Sequence, residues 1–310
     1  MRRVLWIVVL LAACTPLEEE DGILDLVREV QEPPGDGIQL ATPPLEVAPF
    51  EEVFWCYYGT HSGENIGVDF VQPFVSPYNH HTFIQAAQDG DPADGELVDC
   101  SDYSGMEKTT PLFDISGNSL TADGNYLQLP EGVAISLKSG QRWLIEAHFV
   151  NPTAQTLSVN VVFNLGVVPE DEVETWAASY QFDLGPPEIP AGQDVTQSFD
   201  CAFPQDVSLL TLMGHMHQYG QDMSIDRVDE TGSDRIYTVD HWEAEYRDYP
   251  PIQSYEVGEL VVGEDQVLET TCHWLNTTGQ DLGFPEEMCS AKGVAAPLRD
   301  PLFCVDGVMQ

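Results

Sequence analysis

The stretch Trp143-Leu-Ile-Glu-Ala-His-Phe-Val150 decides the fold, because its apolar residues recur at every second position and the run ends at Asn151-Pro152. Ile145, Ala147 and Phe149 fall on one face of an extended chain, with Glu146 and His148 on the other. That period of two belongs to a half-buried β-strand. The pattern extends outward in both directions. Val133-Ala-Ile-Ser-Leu137 alternates after a Pro-Glu-Gly turn, Leu157 to Leu165 alternates after Asn151-Pro152, and Gln266 to Cys272 does so more loosely. Gly and Pro punctuate these runs throughout. Two short helices are expected, one at Ile23 to Val30, where Ile23, Leu26, Val27 and Val30 share a face, and one near Glu170 to Ala178. Many short strands with frequent turns predict an all-β chain of two antiparallel, jelly-roll-like β-sandwich domains in tandem. The boundary falls at Gly185-Pro-Pro-Glu-Ile-Pro-Ala-Gly192, dividing the body into residues 46–184 and 185–310. No internal repeat stands out.

The chain has 310 residues, 43% of them hydrophobic, which is enough for two domains with sizeable cores. Its net charge is −41, from 52 acidic and 11 basic residues. Such a surface repels nucleic acid and anionic membranes. Arg2 and Arg3 precede a short apolar run, Val4 to Leu11, and then Leu11-Ala-Ala-Cys14. This reads as a lipoprotein signal over residues 1–13 with lipid on Cys14, an ordinary secretory signal being the alternative. Thr15 after the cysteine directs the protein to the outer membrane of a bacterial envelope. Residues 14–45, with Glu18-Glu-Glu-Asp21, Pro33-Pro34 and Pro43-Pro44, read as an extended tether. Cys56, Cys100, Cys201, Cys272, Cys289 and Cys304 remain. An even number in an exported chain implies three disulfides, with fifteen possible connectivities; no C-x-x-C pair favours thiolate metal ligation.

Histidine carries the chemistry. His215-x-His217 follows the apolar run Leu209 to Met213, and on a strand both imidazoles project from one face toward a shared ion. A cupin would need a Glu soon after, and only Asp222 is offered. His80-His81 needs a turn, a bulge or mixed ring nitrogens to converge, and Ser76-Pro-Tyr-Asn79 supplies a turn just before it. His148 lies inside its strand, where a partly buried, hydrogen-bonded histidine is the plain alternative. Met288 sits beside Cys289, so a disulfide there would fix its position. Two His with one Met form a soft set that selects copper(I). His61, His241 and His273 have no partner at ligand spacing and read as structural or surface residues.

Four segments in order, Asn79-His-His-Thr-Phe83, Ile145 to Pro152, Gly214-His-Met-His217 and Glu286-Glu-Met-Cys289, resemble the copper type II, ascorbate-dependent monooxygenases, the dopamine β-monooxygenase and peptidylglycine α-hydroxylating family. The gaps His81–His148, His148–His215 and His217–Met288 are 67, 67 and 71 residues. The resemblance implies two β-sandwich domains with one copper each. His80, His81 and His148 would hold an electron-transfer copper, and His215, His217 and Met288 a catalytic copper that binds O2. Ascorbate or a similar one-electron donor would reduce both, and a C–H bond of a small organic substrate would be hydroxylated. The resemblance also implies disulfides Cys56–Cys100, Cys201–Cys304 and Cys272–Cys289, worth roughly 3 to 5 kcal/mol each by the chain-entropy model. Met213 and Lys292 stand where the peptide-hydroxylating branch has Arg and Tyr, so a peptidylglycine is not the expected substrate. The competing expectation is a non-catalytic copper-binding or copper-storage envelope lipoprotein. Partners would be small molecules and O2, with the membrane reached only through the lipid; oligomeric state is left open.

Overall fold

A computed structural model describes residues 23–28, 32–33, 35–101, 110–113, 127–247 and 250–310. The expected signal peptide and Cys14 lie outside these. Among the described residues the chain is all-β, with only two short 3-10 segments, Glu170–Glu172 and Ala244–Arg247.

Trp143–Val150 forms as expected, within the strand Arg142–Val150. It is the middle of a five-stranded sheet, paired antiparallel on one side with Glu52–Thr60 and on the other with Asn79–Ala86. Ile145, Ala147 and Phe149 are fully buried. They face Val68, Val71, Val133, Ile135, Val161 and Phe163 in a shared core with the facing sheet. That facing sheet runs the length of the molecule. From one edge its strands are Ile252–Ser254, Val207–His215, Ser290–Ala296, Thr175–Asp183, Val133–Leu137, Ile66–Val75, Val161–Pro169 and Ile38–Ala41. A four-stranded sheet, in the order Asp194–Ala202, Val267–Leu275, Gly220–Asp229 and Gly232–Val239, covers its other half. Phe199, Met223, Ile225, Leu268 and Trp274 from the cover meet Tyr180, Phe182, Leu209, Leu212 and Ala295 from the long sheet. Two layers whose inner faces alternate large apolar residues make a β-sandwich. Truncating Phe149 or Trp274 to Ala would cost about 3–5 kcal/mol, the usual loss for a buried aromatic.

The long sheet is continuous because Val133–Ile135 pairs in parallel with Thr175–Ala177. Ala177, Leu210, Val294 and Ala296 of the C-terminal half join the N-terminal core. Three disulfides, Cys56–Cys100, Cys201–Cys304 and Cys272–Cys289, tie strands within each half.

Three expectations need correction. The helix expected at Ile23 to Val30 is instead a strand at Ile23–Asp25, pairing in parallel with Thr156–Ser158. The apolar residues that suggest a helical face serve a different purpose, since Leu24 and Leu26 pack on the N-terminal core. The helix expected near Glu170 to Ala178 shrinks to Glu170–Glu172, and Thr175–Asp183 becomes a central strand buried almost throughout. A doubly buried strand loses its alternation and imitates a helical run. Residues 38–41 of the expected tether pair with Val162–Leu165 and so belong to the sheet.

Candidate metal centre

His80, His81 and His148 converge. His148 stands opposite His81 across the paired strands, and the register slips by one residue before the next pair, Phe149 opposite Asn79. The slip is a β-bulge, and His80 is the extra residue. This answers the geometric problem of adjacent histidines, since a bulge turns His80 to the side that His81 already faces. Two features hold the bulge. Asn79 Nδ2 donates to the carbonyls of both His81 and His148, each at 3.1 Å. Tyr78 takes a left-handed φ of 68° at the turn that delivers the pair, a conformation that costs a bulky residue roughly 1–2 kcal/mol.

The Nδ1 atom of His80 lies 3.3 Å from that of His81 and 3.2 Å from that of His148. All three residues offer ligand atoms within 4.8 Å of one another. Two nitrogens each about 2.0 Å from one tetrahedral ion stand about 3.3 Å apart, so the cluster has the spacing that a first-row ion requires. The outward nitrogens are engaged as well. His148 Nε2 donates to Glu52 Oε1 at 2.8 Å, and His81 Nε2 is 3.8 Å from Glu146 Oε1. Carboxylates behind imidazoles fix ring orientation and raise ligand basicity. Phe54 stacks on His148 with centroids 3.8 Å apart. The third outward nitrogen, His80 Nε2, accepts from Arg247.

The electrostatics keep the His80 and His148 rings neutral, the state a ligand must have. Burial, then the charges of His81, His80 and Arg247, lower His148 to about 2. Burial, then Arg247, His81 and His217, lower His80 to about 3.

The second expected ligand group is less symmetric than a strand pair. The strand ends at His215, and His217 lies beyond it in the connection to Gly220. The two rings nevertheless sit 5.2 Å apart, edge to face. Glu287, wholly buried, organises this corner. Its carboxylate accepts from His217 N at 2.9 Å, Tyr219 N at 2.6 Å and Trp274 Nε1 at 3.0 Å. Trp242 Nε1 also donates to the His217 carbonyl. Met288, buried, follows Glu287 directly and precedes the bridged Cys289. Burial lowers His217 to about 4 and holds His215 well below the usual range. His217 contributes to the lowering of His80, and His81 to that of His217, so the two histidine groups lie within electrostatic reach of each other.

Glu52, Asn79, Arg247 and Glu287 serve the site without carrying a ligand motif of their own. Glu287 is visible in the sequence as the acid beside Met288, but its burial is not. His61 Nε2 donates to the Glu64 carbonyl at 2.8 Å, and His241 is an exposed neighbour of Glu243. Neither is part of the tri-histidine cluster.

No family model matches the chain, and no curated protein matches it. Solved structures do. A recombinant N-glycanase F (PNGase F) matches at 10% identity and TM-score 0.39, covering 87% of this chain and 98% of that one. PNGase F, a glycosylasparaginase from Flavobacterium meningosepticum, matches at 11% and 0.39, covering 86% and 97%. A peptide-N(4)-(N-acetyl-β-D-glucosaminyl) asparagine amidase matches at 8% and 0.34, covering 84% and 96%. At this level of likeness no active site or substrate passes from them to this chain.

The comparisons overturn the expected copper monooxygenase family, and with it the oxidoreductase class and C–H hydroxylation with O2 and ascorbate; they lend no support to the copper-storage lipoprotein alternative. The physical reason is one of information. Imidazoles and a thioether specify what a site can coordinate, not which reaction follows. The four resembling segments are short, and the remainder of the chain is unconstrained by them.

Proposed function

We propose that this protein coordinates transition-metal ions, with His80, His81 and His148 as the first ligand set. The observation that carries this reading is the convergence of three Nδ1 atoms, two of the separations being 3.2 and 3.3 Å. Neutral imidazole suits copper, zinc and nickel. His215, His217 and Met288 form a second proposed set, where the thioether would favour copper(I). When bound, an ion in the first set supplies a positive charge and an open coordination position. The chain's own residues hold that position. Glu52 and Glu146 orient rings, Asn79 locks the bulge, and Phe54 shields His148 from water.

Division into tandem sandwich domains belongs to the same proposal. Two apolar cores support two domains, but Ala178, Tyr180 and Phe182 pack in the second core, which sets the division ahead of Thr175–Asp183 rather than at residues 185–192. Export to the bacterial envelope, with Cys14 as the lipid site, is supported by the three disulfides, which persist in oxidising compartments.

The test is metal content and affinity of the full-length chain, by elemental analysis and competition titration with copper, zinc and nickel. His148→Ala is expected to weaken binding at the first set by about 100-fold or more, beyond the 10- to 100-fold typical of losing an outer partner. His61→Ala is expected to change nothing. Equal metal content in wild type and His148→Ala would sink the reading.

A further inference from the structure

The two halves share a local construction that extends to the histidine site. His148-x-x-Asn151-x-Thr153-x-Gln155 recurs as His273-x-x-Asn276-x-Thr278-x-Gln280. The hydrogen bonds recur with it. Asn151 Nδ2 donates to the carbonyls of Val47, Ala48 and Gln155, and Asn276 Nδ2 donates to those of Ile189, Pro190 and Gln280. Thr153 N and Thr278 N each donate to their Asn Oδ1 at 2.9 Å.

The strand registers agree as well. His148 stands opposite Phe54 with Val150 opposite Glu52, and His273 stands opposite Thr196 with Leu275 opposite Asp194. On the other side His148 meets His81 and then, after a one-residue slip, Phe149 meets Asn79. His273 meets Asp222 and, after the same slip, Trp274 meets Gly220. The residue at the bulge is His80 in one half and Gln221 in the other. The counterparts of His80, His81 and His148 are therefore Gln221, Asp222 and His273.

The orienting carboxylate is duplicated too. Glu52 accepts from His148 Nε2 at 2.8 Å, and Asp194 accepts from His273 Nε2 at 2.7 Å. Each histidine thus turns Nδ1 toward its bulge. Beside His273 Nδ1, at 2.6 Å, lies Asp222 Oδ2. Gln221 Nε2 donates to the carbonyls of Tyr219 and Gly220, which holds its carboxamide beside the bulge.

We propose that Gln221, Asp222 and His273 form a further divalent-cation site, the oxygen-and-nitrogen counterpart of the tri-histidine cluster, with Asp194 orienting His273. Two carboxylates around one imidazole in a chain of net charge −41 favour a divalent ion. The carboxylate, carboxamide and imidazole set suits zinc rather than the soft copper(I). Asp222 is half exposed, so its carboxylate can swing from a hydrogen bond on His273 Nδ1 to share an ion with it, the Nδ1 proton passing to solvent as the ion binds. The proposal rests on the tri-histidine reading only for the meaning of the shared geometry.

Imidazole nitrogen-15 spectra of the full-length chain, titrated with zinc chloride, test it; His273→Gln identifies the His273 signals. The His273 Nδ1 resonance is expected to move to a coordinated position. His148→Ala is expected to leave its half-point unchanged, and Asp222→Asn to raise it by about tenfold or more. Circular dichroism checks that the variants fold. If tri-histidine signals move while His273 does not, the proposal is overturned and the first reading stands. The proposal also falls if Asp222→Asn leaves the His273 half-point unchanged. If His273 responds while the tri-histidine signals are still, this site stands, and the first reading is left to its own titration with copper and nickel.

Discussion

His148 and His273 occupy the same place in the two halves, on matching strands, before matching bulges and ahead of matching asparagine turns. Their electrostatics are opposite. Burial first, and then neighbouring cationic groups, lower His148 to about 2. The hydrogen bond to Asp222 first, opposed by burial and then supported by Asp194, raises His273. The backbone is shared, so the difference comes from what stands opposite: His81 and His80 in one half, Asp222 and Gln221 in the other. The fold supplies a position, and the residues across the bulge decide whether an imidazole there is pushed toward its neutral form or toward its charged one.

The largest effect that would probe this comparison is at the asparagines. Asn151 and Asn276 are each fully buried, and each donates three hydrogen bonds to backbone carbonyls. Replacing either with Ala leaves those carbonyls without their donor, and each substitution is expected to cost about 3 kcal/mol. Urea denaturation checks it. Equal losses sharpen the equivalence of the halves; a loss at only one breaks it.

A smaller effect separates the orienting carboxylates. Glu52→Gln is expected to weaken metal at the tri-histidine cluster by about tenfold, the lower end of the range for an outer-shell partner. Asp194→Asn should leave that cluster untouched. Competition titration of both variants would show it, and an equal response would mean that the two halves are coupled rather than parallel.

The smallest effect is in pH, and its sign differs between the two residues. His148 has a folded value below its unfolded one. Its neutral form is present above about pH 6.5, and stability is lost as pH falls from there. His273 has a folded value above its unfolded one. Its contribution is complete below about pH 6.5 and is lost as pH rises through the folded value. In chelator-treated protein, His148→Gln should flatten the acid limb of the stability curve and His273→Gln the limb above it. Denaturation midpoints across pH 4 to 9, about two units either side of the ordinary histidine value, would record both.

Much of the β-architecture is legible in the sequence because half-buried strands advertise themselves. Trp143 to Val150 and Val133 to Leu137 alternate, and both are strands. Thr175–Asp183 is not legible, since burial on both faces erases alternation. The duplication is written in the sequence as His-x-x-Asn-x-Thr-x-Gln, but the intervening residues differ so much that only shared hydrogen bonds make it plain. The bulge at His80 is one of several ways for adjacent histidines to converge, and register selects it.

By itself the sequence determined an all-β chain, a strongly acidic surface and a store of imidazole ligands, because period, charge and donor type are local properties. The tertiary structure fixed which cysteines pair and that His80, His81 and His148 share a focus, both of which local pattern left open and only the resemblance implied. It also placed Glu287 under His217, and it set His273 between two aspartates. Those are relations between segments far apart in the chain, and they are fixed by strand register and by the cost of burying charge rather than by any local pattern.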